Sequence, residues 1–183
     1  TRRRHPLTDI STDLRQAIET ERTMLENIAD IADLTIDTTT LAPQALADLI
    51  RHRVVTRPAS GVSLLFRSFG YRGGVPLDAD FVFDLRCLPN PYWVESLRGQ
   101  TGKDQAVIDF LDAEGDVDAM FDDIAGLLDR WIPRFKANNR AYITVAVGCT
   151  GGQHRSVYMA ERLGRRFREN NDDVLVRHRE QSP

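Results

Sequence analysis

YITVAVGCTGGQHRS, residues 142–156, is the stretch that decides the fold of this chain of 183 residues. The apolar and β-branched run 142–147 predicts a buried strand, and the periodic apolar residues that follow predict a helix over Ser156–Arg168. Between them, Gly151 and Gly152 let the backbone turn tightly, so that amide groups point inward. Unpaired amides and the positive end of a helix dipole attract anions. The stretch therefore predicts a phosphate-binding loop at a strand-to-helix junction.

Polar side chains crowd into the predicted turn. His154 and Arg155 stand at the start of the helix, where they can add charge-assisted hydrogen bonds to an anion. The turn also lies at the carboxyl end of its strand, where open α/β sheets bind their ligands. The structural alternative is that Gly151 and Gly152 only form a turn and that Cys149 is a small buried apolar residue. The number of polar side chains in the turn favours an anion site over that alternative.

The spacing of Cys149-x-x-Gly152-x-x-Arg155-Ser156 supports a second interpretation. It resembles the CxxGxxR[ST] loop of cysteine-dependent phosphatases, in which a thiolate attacks phosphorus and the arginine holds the phosphate oxygens. A thiol at a helix N-terminus beside cations is acidified and becomes reactive. The residue before the cysteine is Gly148, where those enzymes usually have His, and Asp84 is the candidate general acid. A cysteine-dependent phosphatase is therefore the alternative function.

Strands and helices alternate along the rest of the second part of the chain. The apolar runs predict further strands at Val62–Phe69, Phe81–Arg86 and Val174–Val176, and helices at Gln105–Ala113 and Val117–Phe135. Such alternation is typical of a mostly parallel sheet with helices on both faces. The sequence thus predicts an α/β fold.

The front of the chain has a different pattern. It predicts, in order, the amphipathic helix Thr8–Ala29 with Ser11 or Thr12 as its cap, the short strand Leu34–Asp37, and a helix that begins at Pro43. Pro, Ser and Gly cluster in Arg57–Gly61, which is the best candidate for a linker. We therefore predict two domains, residues 1–57 and 58–183. The first is too small to fold confidently alone and looks like the remnant of a larger domain.

Composition excludes several classes of protein. The net charge of −3 argues against a globally basic nucleic-acid binder, although not against a local basic patch. The two cysteines, Cys87 and Cys149, have no paired spacing, so we predict no disulfide framework and no zinc module. Asp78, Asp80 and Asp84 could suggest a metal, but carboxylates at strand edges more often orient arginines, so we predict no metal. No apolar run approaches about 18 residues, so no membrane span is predicted. The cysteine usage favours a reducing, cytoplasmic location.

Several blocks of sequence together carry a family resemblance. They follow one another as Thr1–Leu7 (TRRRHPL), Ser68–Gly70 (SFG), Asp78–Arg86 (DADFVFDLR), Leu88–Pro91 (LPNP) and Gly148–Tyr158 (GCTGGQHRSVY). These blocks closely resemble the RapZ (YvcJ-like) family of nucleotide-binding proteins, some of which are RNase adapters. The resemblance runs from the first residue to near the last. It implies a two-domain protein whose front domain is a P-loop NTPase.

The resemblance also implies that full-length relatives bind ATP or GTP and hydrolyse it slowly. This chain contains no GxxxxGK[ST] motif, because Gly102-Lys103 lacks the preceding glycine and is followed by Asp104. We therefore expect the chain alone to hold no cofactor and not to act as an enzyme. Arg2 and Arg3 would be lid arginines that reach the nucleotide phosphates in the intact protein, or else part of a disordered chain end.

For the C-terminal domain, the resemblance implies a sensor of glucosamine 6-phosphate. The implied phosphosugar-binding residues are Cys149, Thr150, Gly151, Gly152, Gln153, His154, Arg155, Ser156, Asp84, Arg86 and Arg72. Some members also bind small regulatory RNAs and hand them to an endoribonuclease; the candidate RNA contacts here are Arg162, Arg165, Arg166, Arg177 and Arg179. The plainer interpretation of the helix arginines is a solvated face with Glu161 and Glu169 as partners. Because relatives assemble through this half, we expect a homo-oligomer, and a mainly structural oligomerisation domain is the third function considered.

Overall fold

The computed structural model describes residue 7 and residues 13–39, 41–55 and 62–181. The chain divides into two compact units, residues 1–35 and 36–183. In the first unit, helix α1 spans Leu14–Asp30. Asp13 caps this helix, because its carboxylate accepts a hydrogen bond of 2.8 Å from the Gln16 amide.

The predicted strand Leu34–Asp37 is wrong, because these residues form no regular secondary structure. The Asp37 amide donates instead to Asp78 Oδ2 over 3.0 Å. The other oxygen of that buried carboxylate accepts from Arg67 over 2.6 Å. A backbone amide that is satisfied by a side chain needs no strand partner. The local β-branched pattern therefore does not lead to a strand here.

Two other predictions for the front of the chain fall on residues outside the described ranges. They are the helix caps Ser11 and Thr12 and the linker Arg57–Gly61. The domain boundary after residue 57 therefore stays a prediction.

The second unit is built on a four-stranded sheet in the order β2-β3-β1-β4, in which all neighbours are parallel. Its strands are β1 Ser63–Gly70, β2 Phe81–Asp84, β3 Tyr142–Cys149 and β4 Val174–His178. Gly70 is level with Cys149, and Asp84 is level with Gly148, so the strands end together at one edge. The prediction of an α/β fold with a parallel sheet is confirmed.

The second unit also contains helices. They are α2 Pro43–Ile50, which continues into a π-helical turn at Arg51–Val55, then α3 Gln105–Asp112, α4 Gly115–Ala137 and α5 Arg155–Arg168. Glu114 precedes α4 as its N-cap residue and separates it from α3, close to the predicted break. Among the described residues, no helix is both long enough and apolar enough to cross a membrane.

One face of the sheet carries the main apolar core. Leu64 and Phe66 of β1 are buried there together with side chains of α3, α4 and α5. The rings of Phe66 and Phe167 lie 5.4 Å apart, which joins the sheet to α5. A Cβ at Gly164 would overlap Val176, so this glycine lets α5 approach β4 closely. This packing holds the C-terminal half of α5 against the sheet, and α5 begins at the carboxyl edge, a few residues after β3 ends.

A buried arginine ties the segment after α2 to the opposite face. Arg53 Nη1 donates to Thr144 Oγ1 over 3.1 Å, and Nη2 donates to the Ser63 carbonyl over 3.3 Å. Burial lowers the pKa of Arg53 to about 10. In the part of the chain that the structure describes, Arg53 Nε and Asp173 Oδ2 have no hydrogen-bond partner. This guanidinium is therefore held by neutral groups near the amino ends of β1 and β3.

Candidate phosphate-binding site

The turn between β3 and α5, residues 150–154, packs closely against the backbone at Gly70. A Cβ at Gly70 would lie 2.8 Å from the carbonyl carbon of Gly151 and 2.9 Å from the amide nitrogen of Gly152. Gly152 itself has φ +71°, a left-handed conformation that favours glycine. By contrast, nothing lies within 4 Å of where a Cβ of Gly151 would be. The turn is thus packed on the Gly70 and Gly152 side and open at Gly151.

The first turn of α5 is not capped by a side chain. His154 occupies the N-cap position without making a side-chain cap hydrogen bond. The first hydrogen bond of the helix runs from the Tyr158 amide to the His154 carbonyl over 2.9 Å. An uncapped helix start combines orphan amides with the positive end of the dipole, and this combination attracts an anion.

The segment Leu97–Gly102 holds the turn from one side. Gly102 donates its amide to the Gln153 carbonyl over 2.9 Å, and Gln153 Nε2 donates to the Gln100 carbonyl over 2.6 Å. His154 is buried, with Nε2 3.1 Å from the Leu97 carbonyl. Because a carbonyl only accepts, Nε2 carries the proton. Burial lowers the pKa of His154 below its usual value of 6.5, so at neutral pH this ring positions the turn and brings no charge.

Arg155 lies beneath the turn and is only 4 % exposed. Its Nη1 donates to the carbonyls of Arg86 and Leu88 over 3.0 and 2.8 Å. Its Nη2 lies 3.4 Å from Thr150 Oγ1, and Nε has no partner among the described residues. The guanidinium thus joins α5 to the segment after β2. The partners found for it are neutral, which leaves its positive charge next to the turn.

Cys149 is the last residue of β3 and is 3 % exposed. Its Sγ lies 3.1 Å from the hydroxyl of Ser156, which is fully buried. The thiol therefore sits below the turn beside the helix, and Thr150 and Gly151 are the exposed residues of this stretch.

Cationic side chains that follow β2 and β1, the strands on either side of β3, lie at the same edge. Arg86 donates hydrogen bonds of 2.6 to 3.0 Å from Nε and Nη2 to the Asp84 carboxylate. Its Cζ lies 3.8 Å from the centre of the Tyr71 ring. The bound guanidinium of Arg86 holds the pKa of Asp84 below its usual range. Arg72 donates its amide to the Thr150 carbonyl over 3.4 Å. Its exposed side chain has no partner within the described ranges. Arg72 is thus a cation available at the mouth of the turn.

The end of β4 adds residues that the sequence did not place at this site. Arg179, predicted only as an RNA contact, donates to the carbonyls of Gly70 and Gly74 over 2.6 and 2.9 Å. Its Nε also donates to Glu180 Oε1 over 2.9 Å. A Cβ on Gly152 would overlap the Glu180 carboxylate, which therefore stands against the turn. No local signal identifies these residues; only the strand order brings them here.

The candidate RNA-binding arginines fall into two groups. Arg162 pairs with Asp118 over 2.7 Å, and Arg166 pairs with Asp129 over 3.0 Å. Arg165 and Arg177 are exposed and have no partner in the described part of the chain. Arg2 and Arg3 lie outside the described residues. Across the ranges that the structure describes, no group of three or more His, Cys, Asp or Glu side chains is placed to hold a metal ion.

The fold is a parallel α/β sheet, and these residues meet at the carboxyl ends of its strands, the edge at which proteins of this architecture bind their ligands. The chain belongs to the RapZ family. The family model of the RapZ C-terminal domain matches residues 62–182, and that of the RapZ-like N-terminal domain matches residues 1–58. The resemblance found in the sequence is thereby confirmed.

Similar proteins include several that are named nucleotide-binding proteins. One from Marinobacter nauticus is 54% identical over 180 residues, which is 98% of this chain and 61% of that protein. One from Pseudomonas putida strain GB-1 is 54% identical over 98% of this chain and 63% of that protein. One from Saccharophagus degradans is 50% identical over 100% of this chain and 64% of its own length. The chain thus spans a little over three fifths of the length of these curated relatives.

Proposed function

We propose that the predicted C-terminal domain, residues 58–183, binds a phosphorylated amino sugar such as glucosamine 6-phosphate at the turn 150–154, as the sensing part of a nucleotide-binding protein. The observation that carries this proposal is the uncompensated charge of Arg155 beneath an open glycine turn. Asp84 is the nearby carboxylate whose pKa Arg155 helps to lower, but Arg86 already binds it in a bidentate pair. A phosphate dianion in the turn supplies the charge that the described partners of Arg155 lack.

The groups around the turn suit a phosphate ester. The uncapped start of α5 offers amide donors, the open side at Gly151 leaves room for the ester oxygen, and Arg72 adds an exposed cation. His154 is neutral, so recognition depends on arginines and amides. These features support a binding site that needs no reactive side chain.

We assign nucleotide binding to the full-length protein and not to this chain alone. The relatives are named for it, and this chain spans only part of their length. We expect ATP or GTP as the nucleotide and Arg2 and Arg3 as lid residues over its phosphates. Titrating a fluorescent ATP analogue into the full-length protein and its Arg3→Ala variant tests this. Equal affinity for both proteins would contradict the lid role.

The phosphatase alternative has one observation in its favour. The Ser156 hydroxyl lies 3.1 Å from Cys149 Sγ, where it could stabilise a thiolate. However, the thiol is 3 % exposed, and Arg155 Nη1 is already bound by backbone carbonyls. The geometry therefore favours binding over attack. A Cys149→Ser variant separates the two: a sensor keeps most of its affinity for glucosamine 6-phosphate, whereas a phosphatase loses all release of phosphate.

RNA binding is a separate proposal, supported by the exposed Arg165 and Arg177. Each phosphate contact that is lost reduces the salt dependence of RNA affinity by about 0.7–0.9 in the log–log slope. Arg177→Ala should therefore flatten the slope for a small RNA, with an endoribonuclease as the expected downstream partner. An unchanged slope would remove Arg177 from the RNA contacts. Homo-oligomer formation also stays a prediction.

The phosphosugar site is tested by isothermal titration calorimetry with glucosamine 6-phosphate. Arg72→Ala removes an exposed cation next to the turn, and Arg165→Ala removes an equally exposed one near the far end of α5. A charge-assisted hydrogen bond contributes about 1.5–3 kcal/mol, so Arg72→Ala should weaken binding by about tenfold or more. Arg165→Ala should leave the affinity unchanged. Absence of binding to the wild type, or equal losses in both variants, would contradict the proposal.

A further inference from the structure

A buried histidine at the end of β4 is not among the residues assigned to the site so far. The side chain of His178 is 6% exposed, and its two ring nitrogens have partners on two different elements. Nδ1 lies 2.9 Å from the hydroxyl oxygen of Ser68 on β1, and Nε2 lies 3.0 Å from Glu161 Oε1 on α5. One ring therefore joins β4, β1 and α5.

The protons on this ring follow from its partners. The Glu161 carboxylate only accepts, so Nε2 carries a proton and donates it. Burial lowers the pKa of His178 below its usual value of 6.5; the hydrogen bond to Glu161 opposes this, and the Lys103 cation in the segment before α3 adds to it. The neighbour on β1, Ser68, is uncharged. At neutral pH the ring is therefore neutral, and Nδ1 accepts from the Ser68 hydroxyl.

Ser68 connects the ring to the packed side of the turn 150–154. It lies two residues before Gly70, where a Cβ would be 2.8 Å from the carbonyl carbon of Gly151. The Ser68 carbonyl also accepts a hydrogen bond of 3.1 Å from the Arg179 amide, which fixes the end of β4 against β1. A shift of β1 at Ser68 would therefore move the backbone of the turn, because the two are in direct contact.

Glu161 connects the ring to the segment on the other side of the turn. Its Oε1 lies 3.6 Å from Lys103 Nζ. The residue before this lysine, Gly102, donates its amide to the Gln153 carbonyl over 2.9 Å. Contacts that begin at His178 thus reach the turn from both sides.

The hydrogen bonds from Ser68 to His178 and from His178 to Glu161 have the order found in a nucleophilic triad. The Ser68 side chain is fully buried, however, so its hydroxyl is shielded from any substrate. The geometry therefore suits a positioning role and not nucleophilic attack.

We propose that His178 is a positioning residue of the phosphate turn, which keeps its anion-binding form only while this ring both donates to Glu161 and accepts from Ser68. The inference rests on the proposed phosphate site and adds to it a residue that does not touch the ligand. Protonation of the ring should weaken anion binding, because a protonated Nδ1 no longer accepts from the buried Ser68 hydroxyl. Attraction between the added positive charge and the anion alone predicts the opposite sign.

The test titrates sulfate into the ¹⁵N-labelled protein and follows the amides of residues 150–152. At about pH 7.5, His178→Leu can neither donate nor accept, and it should weaken binding by about three- to thirtyfold, the range for residues that act without touching a ligand. His178→Gln keeps a donor and an acceptor and should retain most of the affinity. His52→Gln is the matched control, because it replaces an exposed histidine in the turn after α2, and it should leave the affinity unchanged.

The pH profile gives a readout that a merely structural role would not change. Sulfate is the probe because it stays a dianion in this range, whereas a phosphate ester has a second pKa of about 6. The ratio of the wild-type affinity to that of His178→Gln should fall as the pH is lowered below 6.5. His154 is present in both proteins, so this ratio reports the protonation of His178.

The outcomes separate the inference from the proposed function. A ratio that stays constant or rises, full affinity in His178→Leu, or equal losses in the Leu and Gln variants would overturn the role of His178 and leave the phosphate site standing. If the wild type binds neither sulfate nor glucosamine 6-phosphate, the proposed function fails and the inference fails with it. If thermal denaturation shows that His178→Leu is unfolded, Ser68→Ala takes its place, and full affinity in that variant would overturn the inference.

Discussion

Replacing Arg155 by methionine tests how the turn is held, because it keeps much of the side-chain volume and removes the guanidinium. Two hydrogen bonds of normal length are lost, to the carbonyls of Leu88 and Arg86 at 2.8 and 3.0 Å. The contact with the Leu85 carbonyl, at 3.5 Å, is too long to add much. A hydrogen bond to a charged group contributes about 1.5–3 kcal/mol, so the free energy of unfolding should fall by at least about 3 kcal/mol.

That loss is a large part of the roughly 5–15 kcal/mol that stabilises a typical domain. Urea unfolding followed by tryptophan fluorescence measures it in the sheet-bearing unit, because Trp93 and Trp131 both lie there. Arg72→Met is the control and should change the free energy of unfolding by less than about 0.5 kcal/mol, since this side chain is exposed. A loss below about 1 kcal/mol for Arg155→Met would refute the view that Arg155 ties α5 to the segment after β2.

Three further predictions concern stability. Gly152→Ala should lower the thermal midpoint, since its φ of +71° and the nearby Glu180 carboxylate leave no room for a Cβ, whereas Gly151→Ala should leave the midpoint unchanged because its Cβ meets open space. Arg53→Met should lower the free energy of unfolding in urea by less than Arg155→Met does, because the two hydrogen bonds of Arg53 are longer, at 3.1 and 3.3 Å, and because the burial that lowers its pKa to about 10 also removes its hydration. A loss as large as that of Arg155→Met would contradict this. Burial lowers the pKa of His154 in the folded chain below the value of 6.5 that it has in the unfolded chain, so stability should fall as the pH is lowered through 6.5. His154→Gln should flatten that part of the pH profile of stability, measured by thermal denaturation. An identical profile would contradict the burial of the neutral ring.

The strand, turn and start of the helix around Gly151 were predictable from sequence because each has a local cause. The run 142–147 is apolar and β-branched, two glycines follow it, and the apolar period changes to that of a helix. The parallel sheet was predictable for the same reason, from the alternation of strands and helices. Local chemistry was thus sufficient for the fold class and for the position of the turn.

The rest of the site depends on contacts between distant segments. Gly70 and Glu180 meet Gly152 because β1 lies between β3 and β4, an order that no local pattern encodes. The neutral state of His154 likewise depends on burial under the segment that contains Leu97. The strand predicted at Leu34–Asp37 fails for a related reason, because the Asp37 amide finds the distant Asp78 carboxylate.

The most direct test of the phosphate turn is a titration of inorganic phosphate into the ¹⁵N-labelled wild-type protein, followed by backbone amide NMR. We predict saturable chemical-shift changes that are largest at residues 150–152 and in the first turn of α5, at residues 155–157. Small, unsaturable shifts spread over exposed arginines such as Arg165 and Arg177, with residues 150–157 unaffected, would contradict the account.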